Sequence, residues 1–268
     1  MRFYGYNPKE NGNITIKKSK KLLNKLLTIV VCFLMLLCFL TLATLATYYS
    51  AFVDGPSMYP TINAVNSSDI AYYTNIKTPK KGDIVIVDYN FAEKKFRAIK
   101  RLIATGGDTI CYYNGHLLLN GEVLDEKYIE EGYNYIKSNP LVLENTEFTS
   151  ADNWLNSGYN QSKENFETWC KKLVDGTMTA SEKNTEFFKN YTTKYAGSIV
   201  RSEVLDTYVL TIPEGFIYFL GDNRKQSSDS STLGPAEEKY MLAKVDFVAE
   251  ENSTTLGIFT KELIYLFR

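Results

Sequence analysis

Residues 110–121 read I-C-Y-Y-N-G-H-L-L-L-N-G, so two short apolar runs are each followed by an Asn-Gly pair. Asn-Gly between apolar runs is the strongest short-range signal for a β-hairpin, because both residues accept the positive φ angles of a tight turn. Successive hairpins favour an antiparallel sheet as the basis of the fold. The stretch predicts two strands and two turns: Ile110–Tyr113, Asn114–Gly115, His116–Leu119 and Asn120–Gly121.

Further strand patterns lie on both sides of this stretch. Before it, three runs combine β-branched and aromatic residues between turn residues: Asp69–Tyr73, Asp83–Tyr89 and Phe96–Ile103. After it, Glu203–Ile212 and Phe216–Leu220 return to the same pattern. The sequence therefore predicts a mainly β domain of twisted antiparallel sheets, with a first part at residues 50–129 and a second part at residues 203–268.

Residues 130–202, between these two parts, have a different composition. They are polar, rich in Asn, Lys, Glu and Thr, and contain helix-like segments at Ser162–Val174 and Ser181–Tyr195. We expect an inserted, partly helical cap that interrupts the β domain once.

An apolar run without a charged residue occupies residues 26–48 and is long enough to cross a bilayer as a helix. It follows a tail, residues 1–25, that holds seven lysines and arginines against the single acid Glu10. A cleaved signal peptide also has a basic start, but its apolar segment is typically shorter. We expect a retained transmembrane helix with a cytoplasmic tail, because basic flanks stay in the cytoplasm, and residues 50–268 outside the cell.

The charge of the chain argues against one class of partner. The formal net charge of all 268 residues is −1, so the part beyond the basic tail is net negative. A net negative domain repels the phosphate backbone of nucleic acids. We therefore expect no nucleic-acid partner for the main domain, and the composition leaves the oligomeric state open.

The four cysteines do not indicate a metal site. Cys32 and Cys38 lie in the apolar run, and no cysteine pair has metal-ligand spacing with a histidine nearby. Spacing alone leaves open whether Cys111 and Cys170, both in the exported part, form a disulfide. We expect neither a metal nor an organic cofactor.

Residues 53–62, V-D-G-P-S-M-Y-P-T-I, place the hydroxyl of Ser57 among turn residues close to the end of the apolar run. Gly55 permits unusual backbone dihedrals, whereas Pro56 and Pro60 restrict them, so the serine is held in a defined position. Ser57 is therefore a candidate nucleophile. The alternative is a turn in which this hydroxyl bonds only to its own backbone.

A nucleophilic serine needs a group that takes its proton. The one histidine, His116, lies in a predicted hairpin, an ordinary place for a surface or half-buried histidine. Strand alternation over Phe96–Ile103 makes Lys100 the one cation on an otherwise apolar face, where burial would lower the pKa of its amine. Arg101 on the other face cannot be deprotonated at a useful pH. Lys100 is the candidate base, and a lysine that extends to solvent is the alternative.

Four motifs follow the basic N-terminal segment in a fixed order. They are G-P-S-M-Y-P-T at Gly55–Thr61, G-D-I-V at Gly82–Val85, I-K-R with a following G-G-D within Ile99–Asp108, and G-D-N-R with a following S-S-D-S within Gly221–Ser230. In this order the chain resembles bacterial type I signal peptidase, over residues 17–125 and 203–248. The resemblance implies a membrane-anchored serine endopeptidase with a mainly β catalytic domain and a Ser/Lys dyad, which removes signal peptides from secreted preproteins at the outer face of the cytoplasmic membrane.

The resemblance also implies a role for each matching residue. Ser57 matches the nucleophile, Lys100 the general base, and Ser227 the serine that hydrogen-bonds to the lysine and orients it. Structural polar positions around the site match Arg101, Asp222 and Asp229. The small pockets that accept the Ala-X-Ala residues of the substrate match Met58, Ile62, Ala98 and Ile99. The backbone N–H of Ser57 would bind the oxyanion, since backbone donors stabilise the charge that develops in acyl transfer.

Some features depart from the family pattern. Gly55 stands where some members have a serine whose hydroxyl joins the oxyanion hole, and Ser231 stands where an arginine usually follows. The cap has no assigned counterpart. A self-cleaving repressor-type protein shares the serine/lysine chemistry, but the transmembrane segment argues against it. The alternative kept open is a non-catalytic membrane-anchored paralogue acting in surface-protein assembly, with the cap as its binding surface.

Overall fold

The computed structural model describes residues 8–62, 69–91, 94–129, 151–179, 182–191, 193–249 and 253–266. Two compact units are present, one formed by the N-terminal helix with the residues from Thr255 onward, the other spanning Tyr48–Thr254. Residues 1–7 of the predicted tail and residues 130–150 of the predicted cap lie outside the described residues.

The described helices and strands follow one another in this order: α1 (Pro8–Thr47), β1 (Tyr49–Phe52), β2 (Ile70–Thr74), β3 (Ile84–Phe91), β4 (Lys94–Thr105), β5 (Thr109–Tyr113), β6 (His116–Leu119), β7 (Glu122–Val123), α2 (Ala151–Val174), α3 (Glu186–Tyr191), β8 (Ile199–Ser202), β9 (Thr207–Thr211), β10 (Phe216–Leu220), α4 (Ser230–Leu233), β11 (Ala236–Glu237), β12 (Met241–Ala249) and α5 (Thr255–Leu266). Two short 3-10 helices lie at Glu182–Asn184 and Glu238–Tyr240.

The helical unit contains α1 and α5, which pack against each other. Within α1, the 29 residues Ser19–Thr47 include an 18-residue stretch with a mean hydropathy of 2.9 and are long and apolar enough to cross a membrane. The helix begins earlier than the predicted span, at Pro8, because the basic tail continues the same helix. The predicted second β part, residues 203–268, ends in a helix, because Thr255–Leu266 is helical.

The β-rich unit contains two antiparallel sheets. One has seven strands in the order β1-β2-β12-β3-β4-β10-β11, and the other has five in the order β7-β6-β5-β9-β8. The predicted hairpin is present, with Tyr113 opposite His116 and positive φ angles of 47° at Asn114 and 77° at Gly115. The mainly β, antiparallel fold predicted from the Asn-Gly turns is confirmed.

The predicted strand Glu203–Ile212 is only partly a strand. Its first four residues, 203–206, form the turn between β8 and β9, with Asp206 at a φ of 49°, and β9 covers Thr207–Thr211. This turn carries no glycine or proline, and Asp206 is its one turn-favouring residue. The strand β12 was not predicted either, although its alternating burial has the period of a half-buried strand.

The cap shares a core with the five-stranded sheet. Phe166 of α2 is fully buried, with its ring centroid 5.3 Å from that of Tyr112 on β5 and 6.5 Å from that of Tyr218 on β10. Cys111 and Cys170 are both buried and both free thiols, so they do not pair. The cap is inserted in the sequence, yet its inner face is packed into the core of the β domain.

Candidate active site

Ser57 lies in a turn that follows β1 and is anchored by buried side chains. Val53, Met58 and Ile62 pack into one apolar cluster with Ile86 of β3. The turn is closed by backbone hydrogen bonds, such as that from the N–H of Ile62 to the carbonyl of Met58 at 3.0 Å. Because the residues on both sides are buried, the hydroxyl between them has a defined position.

The loop Gly221–Gly234, called the catalytic loop below, contacts this turn. The backbone N–H of Asn223 donates to the carbonyl of Ser57 and its side-chain amide donates to that of Pro56, both at 3.1 Å. A Cβ atom at Gly221 would lie 2.4 Å from the Ser57 carbonyl oxygen and 2.2 Å from the hydroxyl of Ser227, so only glycine fits there. Sequence reasoning did not assign Asn223 a role, although it stands inside the G-D-N-R motif.

Lys100 on β4 reaches the nucleophile. Its Nζ lies 2.8 Å from the Oγ of Ser57 and donates to the carbonyl of Ile99 at 3.0 Å. The residue is only 4% exposed, and this burial lowers the pKa of its amine, while the charges of Asp229 and Asp222 oppose the shift. The geometry is compatible with Lys100 as the base of Ser57, and this role stays a prediction.

Arg101, the next residue on β4, points away from Lys100 into an ion pair. Its guanidinium donates to both carboxylate oxygens of Asp222, at 2.8 and 2.5 Å, and to the carbonyl of Gly82 at 2.7 Å. The hydroxyl of Thr61 donates to the same carboxylate at 2.6 Å. Asp222 is fully buried, so this network holds the start of the catalytic loop against β4.

Asp229 is satisfied without the arginine that usually follows in the family motif. Its Oδ1 accepts from the backbone N–H of Ser231 at 3.0 Å and from the hydroxyl of Ser231 at 2.8 Å. Its Oδ2 accepts from the N–H of Gly221 at 2.9 Å. Ser231 therefore replaces the missing ion pair with neutral donors, and Asp229 caps the short helix α4.

Ser227 lies beside the site but is not bonded to the lysine. Its hydroxyl oxygen is buried against Gly221 and has no hydrogen-bond partner among the residues that the structure describes. The hydrogen bonds of Lys100 go instead to Ser57 and Ile99. The orienting role assigned to Ser227 stays a prediction.

A groove of about 440 Å³ opens in front of Ser57 and Lys100. It is lined by the residues Ala51, Phe52, Val53, Asp54, Ser57, Ile86, Arg97, Ala98, Ile99, Lys100, Gln226 and Ser228. Of the residues predicted to contact substrate, Ala98 and Ile99 line the groove. Met58 and Ile62 are buried in the cluster around Ile86, beneath the lining, and their contact with substrate stays a prediction.

The site can perform acyl transfer. It combines a positioned serine hydroxyl, an amine within hydrogen-bond distance whose pKa is lowered by burial, and an open groove beside both. His116 begins β6 in the five-stranded sheet and is exposed, as its position in the hairpin predicted. A serine/lysine pair therefore fits the geometry, whereas His116 lies in the other sheet from Lys100.

A family model described as signal peptidase, peptidase S26, matches residues 25–249. A signal peptidase I of Streptococcus pneumoniae serotype 4 is 28% identical over 80% of this chain and 88% of its own length, and one of Bacillus caldolyticus is 26% identical over 78% and 84%. A solved signal peptidase I of Enterococcus faecalis V583 aligns with 63% of this chain and 98% of its own, at a TM-score of 0.33 and 22% identity. The family match spans most of the chain, including Ser57, Lys100 and the catalytic loop, and the chain therefore belongs to the signal peptidase family, peptidase S26, and is a serine protease.

Proposed function

We propose that this protein cleaves N-terminal signal peptides from exported preproteins with a Ser57/Lys100 dyad. The observation that supports this most directly is the distance of 2.8 Å between the Nζ of Lys100 and the Oγ of Ser57. A base must lie within hydrogen-bond reach of the proton it removes, and its pKa must suit the operating pH. Burial of Lys100 favours the neutral amine, the form that can accept a proton.

The reaction proceeds in two halves. Neutral Lys100 takes the proton of Ser57 as its Oγ attacks the scissile carbonyl, and the backbone N–H of Ser57 binds the resulting oxyanion. The protonated lysine then gives its proton to the departing amine of the mature protein. The amine of Lys100 next activates a water molecule, whose attack on the ester releases the signal peptide and regenerates Ser57.

The groove suits an extended peptide with small side chains. Among the described residues, β10 pairs with β4 only from Arg101 to Thr105, so the stretch Arg97–Lys100 pairs with β3 on one edge and is open on the other. An extended peptide can add to such an edge through main-chain hydrogen bonds. Ala98 and Ile99 lie in this stretch and line the groove, which supports specificity for Ala-X-Ala sites.

The apolar helix supports membrane attachment. We propose that Ser19–Thr47 crosses the cytoplasmic membrane once, with the basic N-terminus in the cytoplasm and the β-rich unit outside, according to the distribution of basic residues. Ser57 follows the helix by about ten residues, hence within roughly 35 Å even if the connection were extended. A signal peptide presents its cleavage site close to its own apolar segment, so enzyme and substrate meet at the same membrane surface.

The remaining predicted residues would support the dyad. Arg101, Asp222 and Asp229 hold the catalytic loop, which contacts the Ser57 turn. We propose that the hydroxyl of Ser227 accepts a hydrogen bond from the amine of Lys100 once substrate is bound, because this buried hydroxyl lies next to the Ser57 carbonyl at Gly221. Met58 and Ile62 would act by supporting Ile86 from below.

The deciding experiment is cleavage of a preprotein with an Ala-X-Ala site by the full chain in detergent. We expect the wild type to cut after the second alanine, as read by mass spectrometry, and Ser57→Ala and Lys100→Ala to be inactive. Ser50→Ala is the matched control, because Ser50 is an exposed serine on β1. Cleavage by folded Ser57→Ala would exclude the dyad, and absence of cleavage by folded wild type would favour a non-catalytic anchored paralogue.

A further inference from the structure

Glu126 and Tyr128 lie in the stem, residues 124–129, which leads from β7 toward the cap. Both contact Arg224 of the catalytic loop, and Tyr128 also contacts Arg101 on β4. The guanidinium of Arg224 forms a charge-assisted hydrogen bond to Glu126 and donates to the hydroxyl of Tyr128 at 3.3 Å. That hydroxyl donates in turn to Glu126 at 2.7 Å. The stem is therefore bonded to a residue of the G-D-N-R motif.

Arg224 depends on this contact because it is buried. Its side chain is only 5% exposed, and Glu126 is its acidic partner within the part of the chain that the structure describes. A buried cation without a counter-charge is strongly destabilising. The Nε of Arg224 donates to the carbonyl of Gly221 at 2.9 Å, so the position of Arg224 sets the position of the loop residue that touches Ser57.

Tyr128 makes a second connection to the site. Its ring lies under the guanidinium of Arg101, with the Cζ of Arg101 3.8 Å from the ring centroid. Arg101 is the residue that binds both oxygens of Asp222. The stem thus contacts both arginines that hold the catalytic loop, one through a carboxylate and one through an aromatic face.

We propose that Glu126 and Tyr128 are positioning residues for the reaction, which hold the catalytic loop against Ser57 through Arg224 and Arg101. The proposal rests on the Ser57/Lys100 mechanism above and extends it to the stem. Neither residue belongs to the motifs that carry the family resemblance, and neither reaches the groove lining. The stem therefore connects the inserted region to the loop that contacts Ser57.

The test compares Glu126→Gln with Asp125→Asn in the full chain in detergent. Asp125 is the adjacent acid, and its pair with Lys127 is exposed at both ends, 65% and 73%, so its loss should be neutral. For Glu126→Gln we expect kcat to fall by about 10- to 100-fold with little change in KM, because small misplacements of a nucleophile have effects of that size. Tyr128→Phe, which keeps the ring over Arg101 and loses the hydroxyl, should lower kcat about threefold.

The pH profile separates positioning from simple loss of stability. The amine of Lys100 faces Asp222 and Asp229 of the catalytic loop, and Asp54 and Arg97 line the same groove. A loosened loop admits water, which reverses the effect of burial and moves the acid limb of kcat to higher pH. If Glu126 acted on Lys100 only through its negative charge, Glu126→Gln would favour the neutral amine of Lys100 and move the acid limb of kcat to lower pH.

Each outcome decides the proposal. A lowered kcat with an acid limb shifted to higher pH in Glu126→Gln, and the same direction in Tyr128→Phe, supports it. Equal kinetics of Glu126→Gln and Asp125→Asn, or a reduced yield of folded enzyme with an unchanged pH profile, overturns it. If Glu126→Gln does not fold, Tyr128→Phe decides by the same criteria. Activity of Ser57→Ala would instead contradict the proposed mechanism, independently of the stem.

Discussion

Lys100 and Arg101 are neighbours on β4, but their side chains point to opposite sides and have different partners. Arg101 points to the back of the site and binds both oxygens of the fully buried Asp222. Lys100 points to the front, and the hydrogen bonds of its amine go to the hydroxyl of Ser57 and the carbonyl of Ile99. The charge of Arg101 is thus compensated by an ion pair, whereas the amine that we propose as the base has no directly bonded carboxylate among the described residues.

The same contrast extends to the surroundings of each residue. The front opens into the groove at the hydroxyl of Ser57, and the buried hydroxyl of Ser227 nearby has no hydrogen-bond partner among the described residues. The back is closed by hydrogen bonds from Arg224 and Thr61. The lysine that we propose as the base is thus supported by a network in which the carboxylates of Asp222 and Asp229 both accept hydrogen bonds.

The largest expected effect concerns the front. Lys100→Arg keeps a positive charge and a hydrogen-bond donor but cannot accept a proton, so cleavage should fall by roughly 10²- to 10⁴-fold, the typical contribution of a general base. Single-turnover cleavage of a model preprotein measures this. Lys81→Arg is the control, since Lys81 pairs with Asp108 outside the groove lining. Substantial cleavage by Lys100→Arg would show that another group is the base.

The next effect concerns the back. Asp222→Asn leaves the buried guanidinium of Arg101 without its counter-charge, which should lower the free energy of unfolding by about 3–5 kcal/mol. Urea unfolding of the full chain, followed by the β-sheet circular dichroism signal, measures it. An unchanged midpoint would mean that the ion pair does not hold the loop.

Ser227→Ala tests whether the front gains a hydrogen bond during the reaction. If the hydroxyl accepts a hydrogen bond from Lys100 in the substrate complex, its loss should lower kcat about tenfold while the stability of the free enzyme changes little, because a hydrogen bond from the reacting amine is of that strength. Steady-state kinetics beside thermal unfolding separates the two quantities. Thr232→Ala, an exposed position on α4, is the control. Unchanged kcat in Ser227→Ala would remove this residue from the mechanism.

Lys100→Met should stabilise the folded chain in a pH-dependent manner. Burial lowers the pKa of Lys100 in the folded chain below its ordinary value of 10.5, which applies to the unfolded chain. Between the folded and the unfolded pKa, the unfolded wild type therefore binds more protons than the folded one. Wild-type stability therefore rises with pH through this window, and below it the penalty is complete, about 1.4 kcal/mol for each unit of lowering. The gain in Lys100→Met should shrink as the pH approaches 10.5. Urea midpoints between pH 7 and 10.5 measure this, and a gain independent of pH would contradict it.

The smallest effect belongs to an ion pair on the exposed rim of the groove. Arg97 donates to both oxygens of Asp88 at 2.7 and 3.1 Å, but the two side chains are 56% and 41% exposed. Asp88→Asn should lower the free energy of unfolding by only about 0.2–1 kcal/mol, because solvent and salt screen such pairs. A loss as large as that of Asp222→Asn, measured by the same urea titration, would remove the distinction between front and back.

Local signals in the sequence predicted much of this molecule. The Asn-Gly turns predicted the β5–β6 hairpin, and strand alternation predicted that Lys100 and Arg101 face opposite sides. Both are short-range properties, because turn dihedrals and side-chain direction depend on a few neighbouring residues. The turn between β8 and β9 was not predicted, because Asp206 is the one turn-favouring residue among residues 203–206 and no glycine or proline accompanies it.

Contacts between distant residues were decided only by the tertiary structure. Lys100 and Ser57 are 43 positions apart, Arg101 and Asp222 are 121 apart, and Arg224 and Glu126 are 98 apart. The sequence alone showed a serine in a rigid turn, a lysine on an apolar face and a polar loop, each with an ordinary alternative. Packing brought them to hydrogen-bond distance and added Asn223, Glu126 and Tyr128. The physical reason is burial, which depends on the assembled core. Burial sets the pKa of a lysine and decides whether an arginine needs an acidic partner.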